Sequence, residues 1–171
     1  MTGVLLVGGA SSRFGSPKAL AHLGPRTLAE IGWDTLAFCD ERIAVGKASD
    51  GLDLPFPLRD DASEIRAPIA GVVAGLRAAA NDVCVVLPVD TPRVQATTLR
   101  ALAEACADAA VPQTGPLPGA FRKTALPALE AALAAGELSL RGAIAGLDVA
   151  HLELDPTLLV NVNTPGDLAR L

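Results

Sequence analysis

The sequence has few aromatic residues and no excess of positive charge. Tyrosine is absent, aromatic residues make up 3% of the chain, and the formal net charge is −5 at pH 7. Proteins that bind single-stranded nucleic acids use stacking aromatic side chains and a basic surface, and this sequence offers neither. We therefore expect no nucleic-acid partner, although a polyphosphate still fits an acidic protein whose cations cluster locally.

Cysteine is scarce, and no apolar run is long enough to cross a membrane. Cys39, Cys84 and Cys106 lie far apart and form no Cys-x-x-Cys pair, so we expect buried thiols in a reducing compartment. The N-terminal apolar run is short and lacks the charged lead of a signal peptide. These features predict a cytoplasmic protein that does not contact a membrane.

Apolar strand patterns alternate with helical patterns along the chain. Half of the 171 residues are hydrophobic and 19% are charged, which is typical of a folded domain, here expected to span residues 1–171. The predicted strands are 3–7, 42–45, 82–87, 109–111 and 149–154, and the predicted helices are 27–38, 68–80, 97–108, 123–135, 139–145 and 164–171. This alternation predicts an α/β fold with a mostly parallel sheet covered on both faces. Such folds bind ligands at the carboxyl ends of their strands.

The first strand ends in a loop of small residues that carries two cations. After the apolar run, the sequence continues Gly8-Gly9-Ala10-Ser11-Ser12-Arg13-Phe14-Gly15-Ser16-Pro17-Lys18. Glycines let backbone N–H groups approach an anion, and Arg13 and Lys18 neutralise its charge, so the loop is predicted to bind phosphates. The spacing fits neither a P-loop nor a dinucleotide-binding turn. The alternative is an ordinary turn with surface cations.

A carboxylate follows the strand predicted at 82–87. Asp90 lies between Pro88 and Pro92, which suits a Mg²⁺ ligand because Mg²⁺ prefers one or two carboxylates together with substrate phosphates. Alternatively, Asp90 begins a turn or caps the helix near Thr97, for which Thr97 or Thr98 is the nearer candidate cap. Asp90 is too far from Thr97 to cap that helix, so the metal role is preferred.

Two amides stand near the C-terminus. An apolar strand is expected to deliver Asn161 and Asn163 on one face, before Thr164-Pro165 opens a helix. Neutral amides can bind hydroxyl, carbonyl or ring N–H groups without adding charge to an anionic site. The alternative is an Asx-turn with Thr164 as an N-cap, and the two interpretations are compatible.

Two acids precede a helix that begins with small residues. Asp60 and Asp61 lie in a loop before Ala67-Pro68-Ile69-Ala70-Gly71. A carboxylate at this position can accept the two N–H groups of a guanine edge. Considered without the other segments, both residues are interpreted as surface acids of a loop.

Together these segments resemble the molybdenum cofactor guanylyltransferase family of nucleotidyltransferases. The resemblance covers nearly the whole chain in the family's order, and Gly119-Ala120-Phe121-Arg122-Lys123 is similar to the middle of the family. It implies a single-domain, three-layer α/β/α Rossmann-like nucleotidyltransferase fold. The double glycine and the Pro-Ile-Ala-Gly turn look more like guanylyl than cytidylyl members.

The resemblance also implies a role for each motif. Leu6, Val7, Gly8 and Gly9 would contact the nucleotide, Arg13 and Lys18 its phosphates, Asp60 or Asp61 the guanine edge, Asp90 both nucleotide and Mg²⁺, and Asn161 and Asn163 the pterin side of the acceptor. Arg13, Lys18 and Asp90 would be the catalytic residues.

The implied reaction transfers GMP from GTP to the terminal phosphate of molybdopterin and releases pyrophosphate. Other proteins of cofactor biosynthesis, or molybdoenzymes, would be transient partners. Two alternatives stay open. One is a cytidylyl- or guanylyltransferase that acts on another phosphorylated acceptor, and the other is a non-catalytic homologue that binds a nucleotide or cofactor.

Overall fold

One mixed sheet forms the centre of the fold. The computed structural model describes residues 1–8, 14 and 17–171, and within these residues the sheet has seven strands. The strands of the described residues are β1 (Thr2–Leu6), β2 (His22–Leu23), β3 (Arg26–Thr27), β4 (Glu41–Gly46), β5 (Leu58–Asp60), β6 (Val83–Pro88), β7 (Ala109–Pro112), β8 (Gly119–Arg122) and β9 (Val149–Leu152). Strands β2 and β3 form a separate two-stranded hairpin.

The helices connect and cover these strands. The α-helices of the described residues are α1 (Leu28–Thr35), α2 (Pro68–Ala78), α3 (Ala96–Ala105), α4 (Leu126–Ala134), α5 (Leu140–Ala143) and α6 (Pro165–Leu168). Short 3₁₀ segments lie at Lys18–Leu20, Ala48–Asp50, Lys123–Ala125 and Pro156–Leu158. Across the ranges that the structure describes, no helix combines the length and the apolar character needed to span a membrane.

The strand order brings several carboxyl ends to one edge of the sheet. The order is β5-β4-β1-β6-β8-β7-β9. Strands β5, β4, β1 and β6 pair in parallel, β8 runs antiparallel to both β6 and β7, and β7 pairs in parallel with β9. Strand β8 is therefore the one strand of this sheet that points the other way, and the remaining strand exits share an edge.

Alternating side chains of β1 build a core on each face of the sheet. Leu5 packs in a cluster with Leu28 of α1 and Leu99 of α3. Its neighbour Val4 packs in a second cluster with Ile69 of α2, on the opposite face because successive strand residues point in opposite directions. The expected α/β fold with three layers and a mostly parallel sheet is confirmed.

Most predicted elements are present, with ends displaced by a few residues. The predicted helix 123–135 divides into a 3₁₀ turn and α4, and the closing helix is shorter than predicted. Strands β5 and β8 were not predicted because each is very short, with three and four residues, and gives no clear alternation. The candidate caps Thr97 and Thr98 were wrong, since both lie within α3 and Gln95 occupies the N-cap position.

The three cysteines are unpaired, as the sequence suggested. Cys84 and Cys106 are buried and Cys39 is partly buried. Burial disfavours the thiolate and raises the pKa of Cys84 to about 12 and the pKa values of Cys39 and Cys106 to about 11. These thiols pack as small apolar groups.

Candidate active site

A cavity of about 710 Å³ lies over the shared edge of strand exits. Its floor is the backbone that leaves β1, β4 and β6. From the site residues that the sequence predicted, the lining includes Leu6, Val7, Gly8, Lys18, Asp61, Asp90, Asn161 and Asn163. Asp60 is not part of this lining. The candidates Gly9 and Arg13 lie outside the described residues.

The exits of β1 and β4 approach each other so closely that little side chain fits between them. Val7 donates its backbone N–H to the carbonyl of Val45 at 2.9 Å. A Cβ on Gly8 would lie 3.4 Å from Cα of Gly46, and a Cβ on Gly46 would lie 3.0 Å from a methyl of Val7. The floor at this point is therefore bare backbone, which a ligand can approach closely.

Lys18, Asp90 and Asn163 meet beside the exit of β6. Nζ of Lys18 lies 3.1 Å from Oδ2 of Asp90 and 3.3 Å from Oδ1 of Asn163. Lys18 and Asp90 are 72 residues apart in sequence, and their side chains are 16% and 27% exposed. A cation, a carboxylate and an amide thus share one partly desolvated position on the cavity wall, where their electrostatic interactions with a ligand are stronger than in bulk water.

The segment that carries the two amides is held by Asp90 and by a helix cap. The predicted strand at this point was wrong, since residues 159–164 have no strand assignment. The N–H of fully buried Val162 donates to the backbone carbonyl of Asp90 at 2.8 Å, which keeps Asn161 and Asn163 on the cavity side. The buried Val162 side chain separates the two asparagines, so both face the cavity, as they would in the strand that the sequence predicted.

Thr164 is the N-cap of α6, as one of the two interpretations expected. Its side chain accepts the N–H of Asp167 at 3.1 Å, and the Asp167 carboxylate accepts the N–H groups of Thr164 and Asn163. Hydrogen bonds from Thr164 and Asn163 lower the pKa of Asp167. The cap fixes the backbone while the Asn163 side chain points to Lys18, so the cap is compatible with the ligand-binding role predicted for the amides, which stays a prediction.

Asp60 and Asp61 have different environments although they are neighbours. Asp60 is exposed, and its two oxygens accept the N–H groups of Ala48 and Ala62, both at 2.6 Å. These backbone hydrogen bonds lower the pKa of Asp60. The side chain of Asp61 is 8% exposed, and its Oδ1 lies 2.7 Å from Nζ of Lys47. The interpretation as surface acids is right for Asp60 and wrong for Asp61, which faces the cavity.

Lys47 was not predicted as a site residue. It follows the predicted strand 42–45 and no role was assigned to it, yet Lys47 is buried and lines the cavity. The available signal was its position directly after a strand that ends at the same edge as β1. A lysine placed at a buried strand exit must find acceptors, because an unpaired buried ammonium is strongly unfavourable.

The cavity extends beyond the residues singled out from the sequence. Its far side is formed by the turn after β7 and by the segment that leads into α5. These further lining residues are Thr114, Gly115, Pro116, Leu117, Leu138, Ser139, Leu140 and Arg141. The sheet order places this end opposite the end formed by β4 and the loop after β5.

The donor set suits a metal that is shared with a ligand. Within the described ranges, no group of three or more His, Cys, Asp or Glu side chains is placed to hold an ion. Asp90 offers one carboxylate, and its Oδ1 accepts no hydrogen bond from the part of the chain that is described. Mg²⁺ keeps waters and completes its shell with substrate phosphates, so one carboxylate that lines an open cavity fits it.

Comparison with known proteins points to one family. Residues 3–152 match the model of the family described as "MobA-like NTP transferase domain". A probable molybdenum cofactor guanylyltransferase of Deinococcus radiodurans is 35% identical, with 100% of this chain and 93% of the relative covered. One of Chloroflexus aggregans is 33% identical and covers 98% of this chain and 91% of the relative.

Solved structures share the fold. The molybdopterin-guanine dinucleotide biosynthesis protein A of Archaeoglobus fulgidus superposes with a TM-score of 0.84 at 26% identity, covering 99% of this chain and 96% of the other. The 2-C-methyl-D-erythritol 4-phosphate cytidylyltransferase of Thermus thermophilus superposes with a TM-score of 0.77 at 23% identity, covering 98% and 95%. The latter likeness concerns the fold alone.

Proposed function

The chain belongs to the MobA-like NTP transferase family and is a nucleotidyltransferase, and we propose that it transfers GMP from GTP to the terminal phosphate of molybdopterin. The observation that carries the proposal is the meeting of Lys18, Asp90 and Asn163 within 3.1–3.3 Å. A phosphate-binding cation, a metal-binding carboxylate and an acceptor-binding amide are the groups that this transfer requires at one point.

The order of strands supports an order of subsites along the cavity. We propose that the guanine lies near Asp61 at the β4 and β5 end, and that the phosphates lie over Gly8 beside Lys18. The acceptor would lie near Asn161 and Asn163. Leu6 and Val7 would contact the nucleotide through their backbone. Gly9 and Arg13 remain proposed nucleotide contacts outside the described residues, and Arg13 is also a proposed catalytic cation.

The proposed reaction is an in-line displacement at phosphorus. An oxygen of the acceptor's terminal phosphate forms a bond to the α-phosphorus of GTP, and the bond from that phosphorus to the bridging oxygen of pyrophosphate breaks. The nucleophile is already an anion, so no protein base is needed. Lys18 would neutralise charge on the phosphates and hold them in line, and positioning together with electrostatic stabilisation supplies the catalysis.

Nucleotidyltransferases of this kind use a divalent metal, and we propose Mg²⁺ held by Asp90. When bound, the ion neutralises charge on the phosphates and acts as a Lewis acid. Asp90 also keeps Lys18 in place through their ion pair, so its side chain serves the phosphates in two ways. Residues 1–171 would form one domain, the compartment would be the cytoplasm, and proteins that supply or receive the cofactor would be transient partners.

Measuring GMP transfer to molybdopterin with GTP and Mg²⁺ tests the proposal. Asp90→Ala and Lys18→Ala should each lower kcat/KM by about a hundredfold or more, because each removes a charge that faces the reacting phosphates. Asp34→Asn is a matched control, since Asp34 forms an exposed ion pair with Arg26 outside the cavity lining. Unchanged transfer in the Asp90 and Lys18 variants would contradict the proposed roles.

A panel of nucleotides and acceptors separates the alternatives. The wild-type protein should be stabilised against heat by GTP more than by CTP, since at equal concentration the ligand that binds more tightly raises the unfolding temperature more. Pyrophosphate release with CTP, or with another phosphorylated acceptor and not molybdopterin, would assign a different transferase. Stabilisation by GTP without pyrophosphate release for any acceptor would indicate a binding protein.

A further inference from the structure

Lys47 is a buried lysine whose ammonium is fully engaged by one loop. It follows β4 directly and is 8% exposed. Its Nζ donates to Oδ1 of Asp61 at 2.7 Å, to the carbonyl of Ile65 at 2.9 Å and to the carbonyl of Ser63. An ammonium has three protons, so each of them finds an acceptor within residues 61–65.

The same loop is held in an unfavourable backbone conformation. Ala62 has a φ of 53°, in the left-handed region that residues with a Cβ rarely adopt. Asp60 accepts the N–H of Ala62, Asp61 accepts the N–H of Ser63 at 3.0 Å, and Ser63 accepts the N–H of Ile65 at 3.1 Å. These hydrogen bonds hold the loop in one backbone conformation. A strained residue that the surrounding contacts keep in place is characteristic of ligand sites.

The two oxygens of the Asp61 carboxylate have different surroundings. Its Oδ1 takes the hydrogen bonds from Lys47 and Ser63. Its Oδ2 accepts no hydrogen bond from the part of the chain that the structure describes, while the side chain lines the cavity. One oxygen is thus fixed and the other remains available to a ligand donor.

We propose that Lys47 is a positioning residue for the nucleotide base, which it serves by holding Asp61 through Oδ1 so that Oδ2 faces the cavity. The inference rests on the proposed function, in which Asp61 contacts the base. Lys47 acts through Asp61 and not as a cation for the phosphates. If the Lys47 ammonium turned towards the phosphates, the buried Asp61 carboxylate would lose its compensating charge. Separating a buried ion pair in this way is costly.

The pairing also sets the charge at the base end of the cavity. Asp61 alone would place a full negative charge near an incoming triphosphate, whereas the Lys47–Asp61 pair is neutral as a unit. The base end can therefore offer a strong acceptor to a base N–H group without repelling the anionic nucleotide. This combination requires the lysine to be buried beside the carboxylate, as it is here.

Equilibrium binding of GTP and of inorganic tripolyphosphate to the full chain tests the role of Lys47. Lys47→Met should weaken GTP binding by about tenfold or more, because a hydrogen bond to a charged acceptor is lost when Asp61 turns. Tripolyphosphate has no base, so its affinity should fall much less than that of GTP, through the unpaired Asp61 charge alone. Asp61→Asn should also weaken GTP binding, without weakening the binding of tripolyphosphate.

The double variant Lys47→Met/Asp61→Asn keeps the test valid if Lys47→Met folds poorly. It removes both charges, so no unpaired buried carboxylate remains. Because Lys47 acts through Asp61, the double variant should bind GTP as weakly as Asp61→Asn and no more weakly. Arg77→Gln serves as a control, since it breaks an exposed ion pair with Glu130 outside the cavity lining.

Three results would overturn the inference: equal loss of tripolyphosphate and GTP affinity in Lys47→Met, full GTP affinity in that variant, or additive losses in the double variant. If the wild-type protein binds another nucleoside triphosphate and not GTP, the proposed guanylyl transfer fails instead. The same variants measured with that nucleotide then decide the role of Lys47.

Discussion

Replacing Gly75 by alanine should destabilise the protein, although alanine is the better helix former. Gly75 lies within α2, where alanine is favoured over glycine by about 1 kcal/mol. A Cβ at this position would lie 2.6 Å and 3.0 Å from the two methyls of Val4. Val4 is fully buried in β1, and its β-branched side chain has little rotameric freedom. Overpacking costs about 1–3 kcal/mol, and contact with a rigid neighbour belongs to the upper part of that range, so after the gain in helix propensity we expect a net loss of about 1–2 kcal/mol.

Gly32→Ala is the matched comparison for this prediction. A Cβ on Gly32 of α1 would also come within 2.6 Å of a buried side chain, but there the contact is Cδ1 of Leu5. The end of a leucine side chain can rotate, whereas a valine methyl next to the backbone cannot. The steric cost should therefore be smaller and largely offset by helix propensity, leaving stability within about 1 kcal/mol of the wild type.

Urea unfolding of the two variants measures both changes by linear extrapolation. Val4→Ala destabilises the protein by itself, but combined with Gly75→Ala it removes the methyls that the new Cβ meets, so the two losses should not add in full. The double variant should then be more stable than the sum of the single effects predicts. Wild-type stability in Gly75→Ala, an equal loss in Gly32→Ala, or strict additivity would refute the packing argument.

Three further predictions concern the site, acid stability and the thiols. Asn163→Ala should raise KM for the acceptor more than KM for GTP, as measured by initial rates with each substrate varied; an equal rise in both would contradict an acceptor role. The Glu41 carboxylate accepts hydrogen bonds from Thr2 and from the N–H of Ala80, which lower the pKa of Glu41 below its ordinary value of 4.5. The stability that the ionised Glu41 adds is present above pH 4.5 and is lost as the pH falls through the pKa of the folded protein. Glu41→Gln should therefore make the free energy of unfolding less dependent on pH on the acid side, and an unchanged dependence would count against this role. Cys84, with its pKa raised to about 12, should react with a thiol reagent at pH 8 only on unfolding, and rapid labelling of the folded protein would show that the site opens.

The parts of the fold that depend on local pattern were predictable. Strands β1 and β6 are largely apolar runs, and helix α2 begins at a proline. Strands β5 and β8 have too few residues to show a period, and they are strands because longer neighbours supply hydrogen-bond partners. Elements were therefore predicted correctly where many consecutive residues are buried. The short strands were missed because only a neighbouring strand makes them part of the sheet.

The site was predictable as a set of candidates but not as an arrangement. Lys18 and Asp90 were identified because charged residues that follow apolar strands reach the same edge of a parallel sheet, whereas Asp61 was a candidate, together with Asp60, only through the resemblance to the family. Their pairing was not identified, since Lys18 and Asp90 are 72 residues apart and a sequence pattern carries no distance between remote segments. Lys47 was missed because its hydropathy gives no sign that it is buried.

The sequence by itself determined the fold class, the family, and the residue types available at each strand exit, because these follow from periodicity and from ordered motifs. Only the tertiary structure decided which acid enters the cavity. Asp60 turns outward to accept the N–H groups of Ala48 and Ala62, while Asp61 turns inward to Lys47. The two residues are chemically identical neighbours, so the choice between them depends on donors at the exit of β4, Lys47 and Ala48, which the pairing of β4 with β5 brings beside the loop.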